Sequence, residues 1–181
     1  MTFLQELRQA TAPLHRELDG SLRLDAAVTR DRYGAFLAGT LLVVDPIEDV
    51  LGEPKKRSDL LRADLAALRI RPHDPVPELA PSLASEGERL GCAYVVEGSA
   101  LGGLVLARTI EPALALLPTS GTSFLRLRGE DTAAHWRGFL RRLDDFGREA
   151  SVTMRATATR AAVATFEAYT AAFRRTGALA A

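Results

Sequence analysis

Apolar residues recur at steps of three and four along nearly the whole chain, and no segment alternates with a period of two. That spacing lines one face of an α-helix, whereas a half-buried strand needs alternation. An all-α fold is expected. Leu4, Leu7, Thr11, Leu14 and Leu18 open the pattern, and Thr2 followed by Gln5 has the form of a capping box. Pro13 should kink this helix or mark the first turn of another. Thr29 can cap a second helix that turns Tyr33, Phe36, Leu37 and Thr40 inward, meets Pro46 and ends near Gly52. Ser58 starts a third, with Leu61, Leu65 and Leu68 inward. Four prolines between Arg69 and Pro81 predict a loop. A fourth helix should run from near Ser85 toward Leu116, interrupted at Gly98-Ser99-Ala100-Leu101-Gly102-Gly103, with a turn over Leu117 to Thr122. Two more are expected, over Glu130 to Phe146 and from about Ser151 to Arg175.

Length and charge narrow the function classes. The 181 residues suit one domain, 1–181, with a real core. Basic and acidic residues balance at 23 each, leaving no net field to attract nucleic acid or an acidic membrane. The clusters Lys55-Lys56-Arg57 and Arg141-Arg142 read as solvated surface. Cys92 is the only cysteine, so no intrachain disulfide can form and a reducing compartment fits. Glu6 and Arg8 interrupt the first apolar residues, so no secretory leader is expected. No apolar run reads as long enough to span a bilayer, and the expected location is the cytoplasm.

Two features ask for a reason. Gly98, Gly102 and Gly103 lie inside a helical pattern, where each glycine costs about 1 kcal/mol relative to alanine. Gly98 and Gly102 share a face, and a face without side chains admits something close to the backbone. A neighbouring helix and a flat ligand both qualify. The Gly98-x-x-x-Gly102 spacing also suits a membrane partner, but Glu97 and Arg108 flank too short an apolar run. The second feature is His15, with Asp19 one turn later. A carboxylate there can accept the ring's Nδ1–H and leave Nε2 free for a metal. A histidine beside a helix-stabilising charge is the plainer alternative. His135 follows Asp131 by four residues, a spacing open either to two metal ligands or to a surface pair, and His73 falls in the proline-rich loop. Walker, G-x-S-x-G and H-E-x-x-H motifs are absent.

At these residues the sequence resembles the bacterial haem oxygenases, in the subgroup often found beside bacteriophytochromes. The stretch Leu7-Arg8-Gln9-Ala10-Thr11-Ala12-Pro13-Leu14-His15-Arg16-Glu17-Leu18-Asp19 resembles the family's proximal helix. Ala93-Tyr94-Val95-Val96-Glu97-Gly98-Ser99-Ala100-Leu101-Gly102-Gly103 resembles its glycine-rich distal helix. Ser123-Phe124-Leu125 with Gly129, then Trp136-Arg137-Gly138-Phe139-Leu140, continue the match. The resemblance implies a single-domain helical bundle holding haem between the proximal helix and a kinked distal helix. It makes His15 the iron ligand and Asp19 its orienting partner, gives Arg8 and Arg137 to the haem propionates, and puts Phe166 near the haem. Gly98, Gly102 and Gly103 would lie over its distal face. Many members have aspartate where this chain has Ser99, a shorter, uncharged group that can still hold a water.

The implied reaction opens haem to biliverdin and releases CO and ferrous iron, using O2. Because no flavin or iron–sulfur motif is present, electrons must come from outside, from a ferredoxin or a flavin reductase. A bacteriophytochrome is the implied recipient of biliverdin. Ser99 keeps a rival open, a non-catalytic haem carrier or sensor on the same fold. A di-iron oxidase would need a carboxylate and histidine cluster for which three histidines are few. A ligand-free interaction protein leaves the three glycines without an obvious purpose.

Overall fold

The helical spacing is realised in six helices among the described residues. They are α1 (Phe3–Leu22), α2 (Arg30–Leu51), α3 (Arg57–Ala67), α4 (Glu86–Leu114), α5 (Thr132–Glu149) and α6 (Val152–Thr176). This is a computed structural model, and it describes residues 1–51, 57–127 and 129–179, with side chains at 49–51 excluded. Among the described residues there is no strand, only isolated bridges joining Leu117 to Ser120 and Gly121. Short 3-10 turns fall at Pro77–Leu79 and Gly129–Asp131. The expected end of the second helix at Gly52 and the lysines Lys55 and Lys56 lie outside the described residues.

Local signals in the chain set most helix starts. Thr2 and Gln5 close a reciprocal capping box on α1, and Ser85 and Glu88 do the same on α4. The Ser151 hydroxyl accepts the Met154 N–H at the start of α6. α3 starts differently. Glu48 of α2 accepts the backbone N–H groups of Arg57 and Ser58 and the Ser58 hydroxyl, so a carboxylate brought in from another helix caps it.

The expected break in α4 is absent, and no new helix starts at Pro13. α1 runs through Pro13 without ending. The missing proline N–H leaves a carbonyl unpaired at Gln9, and both residues are exposed, so water can satisfy it. α4 is continuous from Glu86 to Leu114, through Gly98, Gly102 and Gly103. Its cap and its burial against α6 offset a glycine penalty of roughly 2–3 kcal/mol. By length and composition alone α4 is long and apolar enough to cross a membrane, a test that a buried core helix also meets, although Glu97 and Arg108 bound a short uncharged run within it. In this fold it is instead the central helix, packed on α5 and α6.

The α4–α6 seam is unusually close. A Cβ on Gly91 would sit 2.0 Å from the Ala158 carbonyl oxygen, so only glycine permits this approach. Fully buried Cys92 and Thr165 lie in the same seam. Burial pushes the Cys92 thiol up to about 11, against a hydrogen bond with Thr165 that pulls the other way. The thiol is therefore protonated and inert in the folded state. Iodoacetamide at pH 8, followed by mass spectrometry, should leave Cys92 unlabelled in folded protein and label it in denaturant. Rapid labelling without denaturant would mean the seam opens.

Candidate functional site

A cavity of about 800 Å³ opens between α1, α4 and α6. That volume suits a single sizeable small molecule. Most of its wall is apolar, with Leu18, Phe36, Tyr94, Leu106, Phe124 and Trp136 among the lining residues. Of the residues singled out in the sequence, His15, Asp19, Gly98, Ser99, Gly102, Gly103 and Phe166 all line it.

His15 and Asp19 meet as their spacing on α1 requires. His15 Nδ1 lies 2.8 Å from Asp19 Oδ2. The edge of the His15 ring packs on Phe166 of α6, with centroids 5.8 Å apart at 63°. Both α1 side chains are largely exposed, at 62% and 65%, so solvent competes for the pair and its grip on the ring is modest. Nδ1 is committed to the carboxylate, while Nε2 has no protein hydrogen bond among the described residues. A neutral imidazole in that state is a ready iron ligand.

The three glycines have different surroundings. Gly102 has nothing within 4 Å of an added Cβ, so its bare backbone fronts open space. At Gly98 an added Cβ would make ordinary contact with Trp136 at 3.6 Å. At Gly103 it would sit 2.6 Å from the Leu125 carbonyl oxygen. Gly102 is thus bare toward the cavity, while Gly103 lets a loop approach the helix. The Ser99 hydroxyl donates to the Val96 carbonyl at 2.8 Å, leaving its oxygen lone pairs as acceptors.

Arg8 and Arg137 are exposed on α1 and α5, and neither lines the cavity. Two other arginines do: exposed Arg23, the left-handed C-cap of α1, and Arg57. The sequence reading put Arg57 in a solvated basic cluster, whereas it is 2% exposed. Its Nη2 lies 2.5 Å from Glu97 Oε1, and its Nη1 is buried with no partner among the described residues. Glu97 Oε2 in turn lies 2.9 Å from His135 Nε2. His135 is therefore engaged by Glu97 of α4, a partner the Asp131 spacing does not reveal. Arg57, Glu97 and His135 form a polar path from the partly exposed surface of α5, past α4, to the cavity wall. Local sequence held no signal for it, because the charges come from three helices.

The loop after α4 completes the wall. Glu111 holds it through Arg126, with Nε–Oε1 at 2.6 Å and Nη2–Oε2 at 2.7 Å, and accepts from the Thr122 hydroxyl at 2.7 Å. The Arg126 hydrogen bonds hold the Glu111 carboxyl below the usual carboxylate range. This clamp is therefore intact at neutral pH and is lost only as pH falls through that lowered value. Burial, with the charges of Asp64 and Glu111 adding to it, raises the Tyr33 hydroxyl far above its ordinary value, so it stays a donor to the Gly121 carbonyl at 2.7 Å.

Solved structures share this architecture. The heme oxygenase of Neisseria meningitidis, determined in NO- and CO-bound forms, superposes with a TM-score of 0.82 at 24% identity, covering 100% of this chain and 94% of that one. The Leptospira interrogans heme oxygenase gives 0.79 at 18% identity, over 97% of this chain and 100% of that one. Heme oxygenase-1 of Synechocystis sp. PCC6803, solved in complex with heme, gives 0.75 at 15%, over 97% and 92%. At these identities the likeness concerns the fold. In sequence, a Heme oxygenase of Xanthomonas campestris pv. campestris (strain 8004) is 39% identical over 88 residues. That match spans about half of each protein, 47% of this chain and 48% of the relative. The family described as Heme oxygenase matches residues 1–175, nearly the whole chain, and the chain belongs to that family.

Proposed function

We propose that this protein opens haem oxidatively to biliverdin, with release of CO and ferrous iron, using O2 and electrons from an external ferredoxin or flavin reductase. The observation that carries the proposal is His15, held through Nδ1 by Asp19, on the wall of the same apolar cavity as the bare backbone of Gly98 and Gly102. The donor set fits haem iron, since one neutral imidazole with a carboxylate behind it leaves Nε2 for the metal.

Bound haem supplies the oxygen activation and is itself the substrate. The protein holds and surrounds it. His15 would bind the iron, Asp19 fix the tautomer, and Phe166 limit ring rotation. Apolar walls exclude water, and bare helix at Gly102 admits a flat ligand against the backbone. Arg23 at the rim is a cation for a carboxylate-bearing ligand, beside the roles the family resemblance gives Arg8 and Arg137. Arg57 supplies a buried N–H donor whose charge Glu97 balances. The reaction's location is proposed to be the cytoplasm, with a bacteriophytochrome as the recipient of biliverdin.

One observation favours a second reading, a non-catalytic haem carrier or sensor: the Ser99 hydroxyl hydrogen is spent on Val96. Haem added to purified protein, followed by ascorbate or a reductase, separates the two. The Soret band should give way to a green product identified as biliverdin, with CO captured. A stable Soret complex under reduction and oxygen overturns the enzymatic reading.

Ser99 itself is expected to act through an accepted water. Ser99→Ala should retain haem affinity and His15 coordination but slow single-turnover conversion, toward the lower end of the ~10²–10⁴-fold typical of acid–base groups, since a serine cannot carry the proton alone. Ser99→Asp should turn over at least as fast as the parent. Equal single-turnover rates for parent and Ser99→Ala remove Ser99 from the mechanism.

A further inference from the structure

Asp64 of α3 is fully buried. Its carboxylate accepts three backbone N–H groups from one distant loop: Gly121 at 3.1 Å and Ser123 at 3.0 Å on Oδ1, and Phe124 at 2.8 Å on Oδ2. Hydrogen bonds to an ionised acceptor are the strong kind, and here they serve a loop without helix or sheet ladder to hold it. Tyr33 of α2 grips the same turn from another side, through the Gly121 carbonyl. Beyond the turn the loop enters the cavity wall, where Phe124, Leu125 and Leu127 are lining residues. The Leu125 carbonyl abuts Gly103, and Arg126 ties the loop to Glu111 of α4. One loop is thus fixed from α2, α3 and α4 and presents its side chains to the ligand space.

We propose that Asp64 is a positioning residue that sets the Phe124–Leu125 wall, and through it which edge of a bound haem is oxidised and which biliverdin isomer results. The inference rests on the haem-opening reading above. A flat ligand held through His15 Nε2 could rotate about that bond without changing it, so His15 alone would not choose among the ring's edges. Side walls can, and a methylene-sized change in an apolar wall discriminates by ~10–200-fold.

Asp64→Asn tests this directly. It keeps the volume but replaces one acceptor oxygen with a donating amide, so at least one of the three N–H groups loses its partner. Chromatography of single-turnover product should show a minor isomer rising at least about threefold, with the His15-ligated haem spectrum retained. In ligand-free protein the amides of Gly121, Ser123 and Phe124 should exchange faster in the variant than in the parent. A folded Asp64→Asn with the parent's isomer distribution overturns the proposal. If that variant does not fold, Tyr33→Phe loosens the same turn by one bond. It should shift the isomers in a smaller degree, and an unchanged distribution there overturns the proposal equally. A parent protein that yields no biliverdin at all overturns the haem-opening reading itself, an outcome seen before any variant is compared.

Discussion

Replacing His15 with alanine is expected to abolish the axial coordination of bound haem and, with it, turnover. Most of the remaining cavity wall is apolar, and Asp19 would be left without its imidazole. No other histidine can stand in. His135 is engaged by Glu97, and neither it nor His73 lines the cavity. The variant should still take up haem through its apolar walls, with an altered absorption spectrum, and added imidazole should restore part of the parent spectrum by filling the vacated space. Asp19→Asn should be milder. Orienting partners of metal-bound histidines typically contribute ~10–100-fold in affinity or activity, and the exposure of this pair points to the lower end. An unchanged haem spectrum in His15→Ala, without imidazole, would falsify the assignment.

What could be read from the sequence follows the range of the interactions involved. The α1 site depends on residues four apart on one helix, so its geometry is written in the spacing of His15 and Asp19. Helix starts at Thr2, Ser85 and Ser151 are equally local, each cap lying within three residues of its partner. The misplaced features all depend on distant chain. Arg57 looks like surface until Glu97, 40 residues on, supplies the charge that lets it be buried. Leaving either of such a pair buried alone costs several kcal/mol, about 3–5 in measured cases, so neither burial is intelligible without the other. Asp64 carries no local signal, because its three donors lie 57 to 60 residues further along. The expected break in α4 failed for a related reason. Helix propensity speaks against three glycines, but packing on α6 decides the outcome, and that packing uses a different glycine, Gly91, against Ala158.

The glycines of α4 themselves should separate by substitution, with opposite consequences for neighbouring positions. Gly102→Leu is expected to fold and to melt no lower than the parent. Its Cβ meets nothing within 4 Å, and leucine gains up to about 1 kcal/mol of helix propensity over glycine. Its side chain would occupy space bordering the cavity, so haem uptake or product formation should fall sharply. Gly103→Leu is expected to fail earlier. Its Cβ would sit 2.6 Å from the backbone oxygen of Leu125, on a loop that Asp64, Tyr33 and Glu111 hold in place and that cannot easily retreat. Overpacking of this kind typically costs ~1–3 kcal/mol, enough to outweigh the propensity gain and lower the melting temperature by several degrees. Thermal melts without haem, set beside single-turnover conversion, distinguish the two positions. The decisive result is Gly102→Leu. If it melts like the parent and still binds and converts haem at the parent's rate, the bare face of α4 does not front the haem, and its glycines serve only to bring helix and loop together.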